Sequence, residues 1–143
     1  MLDVIFVGCD LSNKCFDYKM LSRVVFKNCK MIGTSFIESS LKDIEINNSL
    51  TRYLNFSNTR INNLLIKETS LTESTFMETT VKNIELDNVK LYRTEFIKTK
   101  LDKVDFSTCD IEGIVFDNYS LKGIIVDKFQ CQNLVHMLGV EVK

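Results

Sequence analysis

Residues 16–36 read FDYKM-LSRVV-FKNCK-MIGTS-F and contain the pattern that decides the fold. An apolar residue opens each block of five, in the order Phe16, Leu21, Phe26, Met31 and Phe36. A spacing of five fits neither the 3.6-residue turn of a helix nor the two-residue alternation of a long strand. It fits a short extended segment followed by a corner, repeated along the chain.

The same five-residue register runs from Phe6 to Val126 in one phase. Of its 25 positions, 24 are apolar, and Thr51 is the exception. Nine of the ten phenylalanines of the chain lie in this main column, although only 45% of all residues are hydrophobic. Such a column is the signature of a repeat architecture, in which each repeat packs against its neighbours.

Two further columns give the shape of each repeat. Two residues before the main column, small or β-branched residues such as Val24, Cys29 and Thr34 predominate, and this spacing directs both columns to the same side of an extended segment. Two residues after the main column, Gly or Asn holds 12 of 24 places, and both tolerate the positive φ that a type II turn requires. These predicted corner residues are Gly8, Asn13, Asn28, Gly33, Asn48, Asn58, Asn63, Asn83, Asn88, Gly113, Asn118 and Gly123.

Every fourth repeat from residue 16 onward carries a phenylalanine, and a 20-residue period gives four sides to each turn. Residues 1–126 are therefore predicted to form an all-β, right-handed quadrilateral β-helix of about six coils that rise ~4.8 Å each. Lys14 and Lys19 interrupt the inner column in the first coil, where they are expected to reach water as a polar N-terminal cap. The predicted core ladder consists of Phe16, Phe36, Phe56, Phe76, Phe96 and Phe116.

Residues 127–143 have a different pattern, typical of a helix followed by a short strand. Asp127 and Gln130 have the spacing of a helix capping box, and Val140 and Val142 alternate as in a strand. We expect this segment to close the lower end of the core. Its helix would carry one apolar face, formed by Cys131, Leu134, Val135 and Leu138.

Composition and single residues argue against several function classes. The chain carries 18 Lys+Arg against 19 Asp+Glu and no tryptophan, which predicts neither a phosphate-binding surface nor an outward aromatic–basic patch for nucleic acid. His136 is the only histidine, and it lies on the polar side of the predicted helix without a partner for a catalytic triad or a metal site. We therefore predict a protein that is not an enzyme and has no cofactor, metal site or small-molecule substrate.

The cysteines and the termini bear on the cellular compartment. The five cysteines form no C-x-x-C pair, which argues against a disulfide framework or a zinc site. Cys9 and Cys29 lie one coil apart, where spacing alone permits a disulfide, but reduced core thiols are the favoured alternative. No apolar run approaches the ~20 residues of a membrane span, and the start of the chain lacks signal-peptide features, so a cytoplasmic location is expected.

The columns over residues 4–126 resemble the pentapeptide repeat family. The tail, DKFQCQNLVHMLGVEV over residues 127–142, resembles the C-terminal helix and strand of the Qnr-type quinolone-resistance proteins, with Phe129 in place of their Tyr. That resemblance implies a homodimer and a protein that imitates duplex DNA and binds a type II topoisomerase such as DNA gyrase, without direct contact to nucleic acid. The dimer interface that it implies consists of Phe129, Leu134, Leu138, Val140 and Val142.

An acidic stretch between residues 68 and 87 is the candidate partner surface, and an ordinary solvated face is the alternative interpretation. Lys82 is the only basic residue in the stretch after position 68, and the next coil is mainly basic. We name this group the acidic belt. It consists of Glu68, Glu73, Glu78, Glu85 and Asp87.

Three functions are compatible with these observations. The first is a Qnr-like dimer that binds a topoisomerase, and the second is an adaptor or scaffold with another protein partner. A secreted structural module is third, because a signal sequence is not seen. Around Thr51, the sequence predicts either a bulge or a satisfied threonine, or else a place where apolar Leu50, Tyr53 and Leu54 face outward for a partner.

Overall fold

Each five-residue repeat forms one side of a four-sided coil in the computed structural model, which describes all 143 residues. The elements in chain order are β1 (Leu2–Val7), β2 (Met20–Lys27), β3 (Lys30–Ile32), β4 (Ser40–Asn47), β5 (Leu50–Arg52), β6 (Arg60–Lys67), β7 (Ser70–Thr72), β8 (Thr75–Met77), β9 (Thr80–Val81), β10 (Ile84–Asp87), β11 (Glu95–Ile97), β12 (Val115–Phe116), α1 (Asn118–Leu121) and α2 (Cys131–Met137). The predicted β-solenoid of about six turns with a short C-terminal helix is confirmed.

All strand pairs are parallel, and paired residues lie 20 positions apart. Phe6 of β1 is opposite Phe26 of β2, and Phe96 of β11 is opposite Phe76 of β8. The largest sheet follows the order β1-β2-β4-β6-β10, with β9 also paired to β6, and two three-stranded sheets follow the orders β3-β5-β7 and β8-β11-β12. The long strands of the first sheet cover two adjacent sides of the solenoid, here called side 4 (around residue 41) and side 1 (around residue 46). Side 2 contains β3, β5 and β7, and side 3 contains β8, β11 and β12.

The corners use a left-handed backbone at one position in every five. Apart from Asp3 and Gly139, all residues with positive φ lie in the predicted corner column, with φ between 46° and 76°. Many are not Gly or Asn; Tyr18 and Glu38 are examples, although the left-handed conformation costs an ordinary residue about 1–2 kcal/mol. Stacking holds them there, because most corner N–H groups donate to a carbonyl of the next coil, as from Glu38 N to Ser57 O at 3.0 Å. Asn88 N and Lys98 N instead donate to the side-chain oxygens of Thr108 and Asp117.

Two of the twelve predicted corner residues do not adopt this conformation. Asn118 is the first residue of α1, whose N-cap Asp117 accepts a hydrogen bond from Ser120 N at 2.8 Å. Asn83 lies between β9 and β10 without a positive φ, and its side-chain amide donates to Asn63 Oδ1 at 3.0 Å. The turn prediction is wrong at these two positions, and in the last coil a helical turn replaces a side of the square.

The phenylalanine ladder forms one wall of the core. Consecutive rings stack with centroid separations from 4.6 Å (Phe56–Phe76) to 5.5 Å (Phe96–Phe116). From the opposite wall, Phe26 and Phe106 meet the ladder edge-on, with centroids 5.6–6.2 Å from those of the ladder rings. Both geometries are favourable for aromatic pairs, so the core gains specific ring contacts in addition to apolar burial.

Polar residues of the inner column are buried and hydrogen-bonded. The hydroxyls of Thr59 and Thr79 donate to the main-column carbonyls of Phe36 and Phe56 in the preceding coil, each at 2.6 Å. Thr51 is also buried and in register, and its hydroxyl donates to Ser70 O. The prediction of a satisfied threonine is therefore confirmed, and no bulge is needed. No buried side-chain nitrogen or oxygen lacks a partner, as the high cost of an unpaired buried polar group requires.

The N-terminal coil is only partly covered. Lys14 and Lys19 are exposed, as expected for a polar cap, whereas Val4 and Phe6 remain partly accessible. The equivalent residue one coil later, Phe26, is fully buried. The stacking of one more coil therefore makes the difference between partial and complete burial.

The C-terminal end is closed by the residues around the start of α2. The predicted capping box is present, since Asp127 N donates to Gln130 Oε1 and Gln130 N donates to Asp127 Oδ1, both at 2.9 Å. The Gln130 amide also enters the core and donates to the carbonyls of Phe106 (2.8 Å) and Cys109 (2.9 Å). A single buried side chain thus gives the Cys109 carbonyl a donor and adds a second donor to the Phe106 carbonyl, which also accepts from Cys109 N.

Two predictions about the tail are corrected by the structure. Val140 and Val142 form no strand, because the single chain offers them no neighbouring strand. The core-facing residues of α2 are Leu134 and Met137, whereas Cys131 and Leu138 of the predicted apolar face are exposed. The helix is therefore rotated from the predicted orientation, and part of its apolar face points to solvent.

Candidate protein-binding surfaces

The acidic belt encircles the solenoid and does not form one face. Glu68, Glu73 and Glu78 occupy three successive corners, and each has a positive φ. Glu85 and Asp87 belong to β10, on side 1, where they flank the buried Leu86 and point outward. A partner on any one side can therefore contact only part of the predicted set.

Neighbouring coils contact each of the three corner glutamates, and two of these contacts are with cations. Glu73 forms an ion pair with Arg52 (2.5 Å), which lowers the pKa of the Glu73 carboxyl through the hydrogen bond that it receives. Glu78 is 3.7 Å from Lys98 Nζ. Glu68 accepts a hydrogen bond from Asn88 Nδ2 at 2.6 Å. The two cations reduce the charge that Glu73 and Glu78 present to a partner, whereas the neutral Asn88 amide leaves the charge of Glu68 in place.

Side 1 carries a smaller acidic cluster than the belt. Residues 20 positions apart are neighbours here, so Glu85 lies above Asp105, and Asp87 lies beside Lys67 and the corner of Glu68. Asp105 accepts a hydrogen bond from Ser107 N at 2.8 Å, and the pKa of its carboxyl is lowered by hydrogen bonds from Ser107. Glu85, Asp87 and Asp105 form no ion pair. Asp105 was missed because it lies outside the stretch from 68 to 87, although stepping 20 residues from Glu85 finds it.

The tail exposes four of the five residues predicted for the dimer interface. The exposed fractions are 78% for Phe129, 60% for Leu138, 51% for Val140 and 43% for Val142. Leu134 instead packs against the solenoid core. The apolar residues accessible for association therefore cluster at the C-terminal end, on a segment that is anchored through Gln130 and Leu134.

An outward aromatic–basic patch is present on side 2, contrary to the sequence-based prediction. Leu50 and Tyr53 face outward, as one interpretation of the Thr51 region expected, but Leu54 is buried. Tyr53 shares its corner with Glu73 and Arg93, and Arg52 shares its column with Tyr92, at 20-residue steps. These residues are far apart in the sequence, which is why reading along the chain did not group them.

The cysteines, the metal-ligating side chains and the two helices are further candidate functional groups. All five cysteines are free thiols, and burial raises the pKa of the Cys109 thiol. No cluster of three or more His, Cys, Asp or Glu side chains is arranged to hold a metal ion. Neither α1, with four residues, nor α2, with seven, is long and apolar enough to span a membrane.

Comparison with known proteins gives one family match and several similar structures. The sequence model of the pentapeptide repeat region matches residues 1–76. No curated protein matches the sequence. The structure of the pentapeptide repeat protein Rfr23 from the cyanobacterium Cyanothece 51142 is similar, with a TM-score of 0.58, 15% identity, and coverage of 86% of this chain and 91% of Rfr23.

Two further structures resemble the chain. HetL, a pentapeptide repeat protein involved in heterocyst differentiation regulation in Nostoc sp. strain PCC 7120, has a TM-score of 0.53 and 11% identity, with coverage of 89% of this chain and 69% of HetL. Full-length QnrB1, a plasmid-mediated fluoroquinolone resistance protein, has a TM-score of 0.43 and 13% identity, with coverage of 98% of this chain and 99% of QnrB1.

Proposed function

This chain belongs to the pentapeptide repeat family, and from that premise we propose that it is a non-catalytic protein-binding rod that dimerises through its C-terminal segment. Proteins of the family are generally structural or interaction proteins. The observation that carries the proposal is the exposed apolar cluster of Phe129, Leu138, Val140 and Val142 at one end of a rigid solenoid. Exposed apolar clusters of this kind are typical of association sites.

A second copy is the occupant that suits this cluster. A two-fold axis at the end of the rod brings the same apolar residues of both chains together, which is the self-complementary geometry of most homodimers. It also brings residues 140–142 of the two chains side by side, where they could pair as strands and each chain would supply the neighbour that the other lacks. The dimer would be a rod about twice as long as one chain, with its two solenoids pointing away from the centre.

Sedimentation velocity at micromolar concentration tests the dimer. We expect the unmodified chain to sediment as a dimer and Leu138→Asp to sediment as a monomer, because a buried carboxylate in the apolar interface is strongly unfavourable. Leu2→Asp is the matched control, since Leu2 is 59% exposed at the opposite end and Leu138 is 60% exposed. A monomeric unmodified chain, or dissociation of both variants alike, would contradict the proposal.

The more specific hypothesis is that the rod binds a type II topoisomerase as a DNA mimic. Its support is the acidic cluster of side 1, formed by Glu85, Asp87 and Asp105 next to the corner of Glu68. Such a cluster complements a basic DNA-binding surface, and charge-steered binding of this kind weakens as the salt concentration rises above ~0.1 M. An adaptor role with another protein partner is the alternative.

A supercoiling assay with purified DNA gyrase and a quinolone distinguishes the topoisomerase hypothesis from the adaptor alternative. If the rod binds gyrase, the unmodified protein changes the extent of supercoiling by protecting or inhibiting the enzyme. The variant Glu68→Lys/Glu85→Lys/Asp87→Lys is then expected to lose this effect. The control Glu38→Lys/Glu95→Lys/Glu112→Lys has the same net charge but places its changes on other exposed positions, and it is expected to behave as the unmodified protein. If the unmodified protein neither protects nor inhibits gyrase at tens of micromolar, the adaptor role is the better explanation.

A further inference from the structure

Side 2 carries a compact outward surface that combines aromatic, aliphatic and basic side chains. Leu50 is 56% exposed, Tyr53 49% and Tyr92 46%, and three cations lie among them. We call this surface the side 2 patch. It consists of Leu50, Arg52, Tyr53, Lys90, Tyr92 and Arg93.

The solenoid register brings these residues together from positions up to 43 residues apart. Leu50, Ser70 and Lys90 form one vertical column, because Leu50 pairs with Ser70 and Ser70 pairs with Lys90. Tyr53, Glu73 and Arg93 form the adjacent corner, where all three have positive φ. Two coil steps separate the upper and lower residues, so the patch is ~10 Å high and stands on the rigid β5–β7 sheet.

Each aromatic ring of the patch lies next to a guanidinium group. The guanidinium carbon of Arg52 is 4.8 Å from the Tyr53 ring centroid, and that of Arg93 is 5.3 Å from the Tyr92 centroid. Tyr92 also covers Gly113, where a Cβ would lie only 2.8 Å from the ring atom Cδ2. One face of each ring is therefore occupied by a guanidinium group, and the patch is held in place before any partner binds.

The side 2 patch has a net positive charge, and acidic residues flank it along the same side of the solenoid. Arg52, Lys90 and Arg93 contribute three positive charges, and only Glu73, which is paired with Arg52, opposes them within the patch. Along the same side, Lys30 adds a cation next to Leu50, whereas Asp110 lies one coil beyond Lys90, Glu112 one coil beyond Tyr92, and Asp10 at the opposite end. A partner is therefore attracted to the middle of side 2 and not to its ends.

We propose that the side 2 patch is a docking site for an acidic segment of a partner protein. Tyrosine and arginine are the residue types that dominate binding energy in protein interfaces, and here both are rigidly positioned around an exposed leucine. Carboxylates of the partner would pair with Lys90 and Arg93, while an apolar partner side chain covers Leu50. This inference adds a partner class to the proposed protein-binding role, and it requires neither the dimer nor the binding of gyrase.

Single-stranded nucleic acid is the alternative partner for the side 2 patch, because it is also negatively charged and its bases are flat groups that can pack on aromatic rings. Binding of nucleic acid by stacking needs accessible aromatic faces on which bases can stack. Here the rings lie against guanidinium groups and, for Tyr92, against Gly113, and the Glu73 carboxylate is paired with Arg52 within the patch. Both features favour an acidic protein segment over a nucleic acid.

Fluorescence anisotropy with two labelled probes tests the inference. The first probe is a copolymer of glutamate and tyrosine, and the second is a single-stranded oligothymidylate of similar charge. At about 25 mM salt, where screening is weak, we expect the full chain to bind the acidic copolymer more tightly than the oligonucleotide. Tyr53→Asn/Arg93→Asn is expected to weaken copolymer binding at least about tenfold, because it removes an aromatic anchor and a cation.

The control variant Tyr18→Asn/Arg23→Asn removes the same residue types from other corners. All four positions have φ between 53° and 60°, which asparagine tolerates, so neither variant is expected to unfold the chain. Loss of copolymer binding in the control as well, or retention in the patch variant, would contradict the proposal. So would failure of the full chain to bind the copolymer, or tighter patch-dependent binding of the oligonucleotide.

The dimerisation variant Leu138→Asp separates this inference from the proposed dimer. Copolymer binding per chain is expected to stay within about twofold of that of the unmodified protein, because the patch lies on side 2 and not in the tail. If Leu138→Asp abolished copolymer binding, the acidic probe would be recognised by the tail or by the dimer, and the assignment to side 2 would be wrong.

Discussion

Replacing Phe76 with alanine is expected to lower the free energy of unfolding by about 3–5 kcal/mol. Phe76 is fully buried, and its ring lies between those of Phe56 (4.6 Å) and Phe96 (4.8 Å). The substitution removes two stacked contacts and leaves a cavity in the middle of the solenoid, where coils above and below limit collapse. Urea denaturation followed by circular dichroism measures the loss.

Phe16→Ala is the matched control in the same ladder. Phe16 stacks on one ring only, that of Phe36, and it retains 7% exposure in the first coil. We expect a clearly smaller loss of stability, because the end coil can relax and water already reaches its rim. Equal losses at the two positions would contradict the assigned role of stacking along the ladder.

Gln130→Ala is expected to destabilise the C-terminal end by about 1–3 kcal/mol, since it leaves the buried Cys109 carbonyl without a partner. The carbonyls of Phe106 and Cys109 lose the donated bonds, and Asp127 N loses its acceptor. Amide hydrogen exchange in residues 104–112 should accelerate along with the decrease in stability. Gln132→Ala, an exposed Gln to Ala change in the same helix, is expected to have little effect. If both variants behave alike, Gln130 does not close the core.

The sequence predicts the solenoid well because its core depends on one local rule repeated many times. A main-column residue such as Phe96 is buried wherever its neighbours at 20-residue steps are buried. Its burial can therefore be predicted without knowing the position of any other part of the chain. The buried Thr51 follows the same rule, since its backbone register is fixed by Met31 and Leu71 even though its side chain is polar.

The tail follows no such rule. The capping box of Asp127 and Gln130 is local and was predicted, but the insertion of the Gln130 amide between Phe106 and Cys109 depends on where the helix meets the last coil. Helical spacing alone could not determine that Met137 faces the core while Leu138 faces solvent. Tertiary placement of a short helix decides both.

The surfaces were harder to predict for a geometric reason. In a four-sided solenoid, residues that are close in the sequence are spread around the circumference, as the acidic belt is. Residues on one side recur at intervals of 20, as Tyr53, Glu73 and Arg93 do. Charge must therefore be read in steps of 20, and the side 1 cluster and the side 2 patch then become visible in the sequence.

The 20-residue register between paired strands also determines how such a chain can change its length during evolution. Duplication of 20 residues adds one complete coil and leaves every ring of the ladder above another ring. Duplication of five residues between Phe56 and Phe76 preserves the inward and outward alternation but turns all later sides by a quarter, so that Phe76 would lie above Ile61 instead of Phe56. Gain or loss of one residue reverses which side chains face the core. Growth by whole coils is therefore the tolerated route, and it lengthens the rod without altering the surfaces already present.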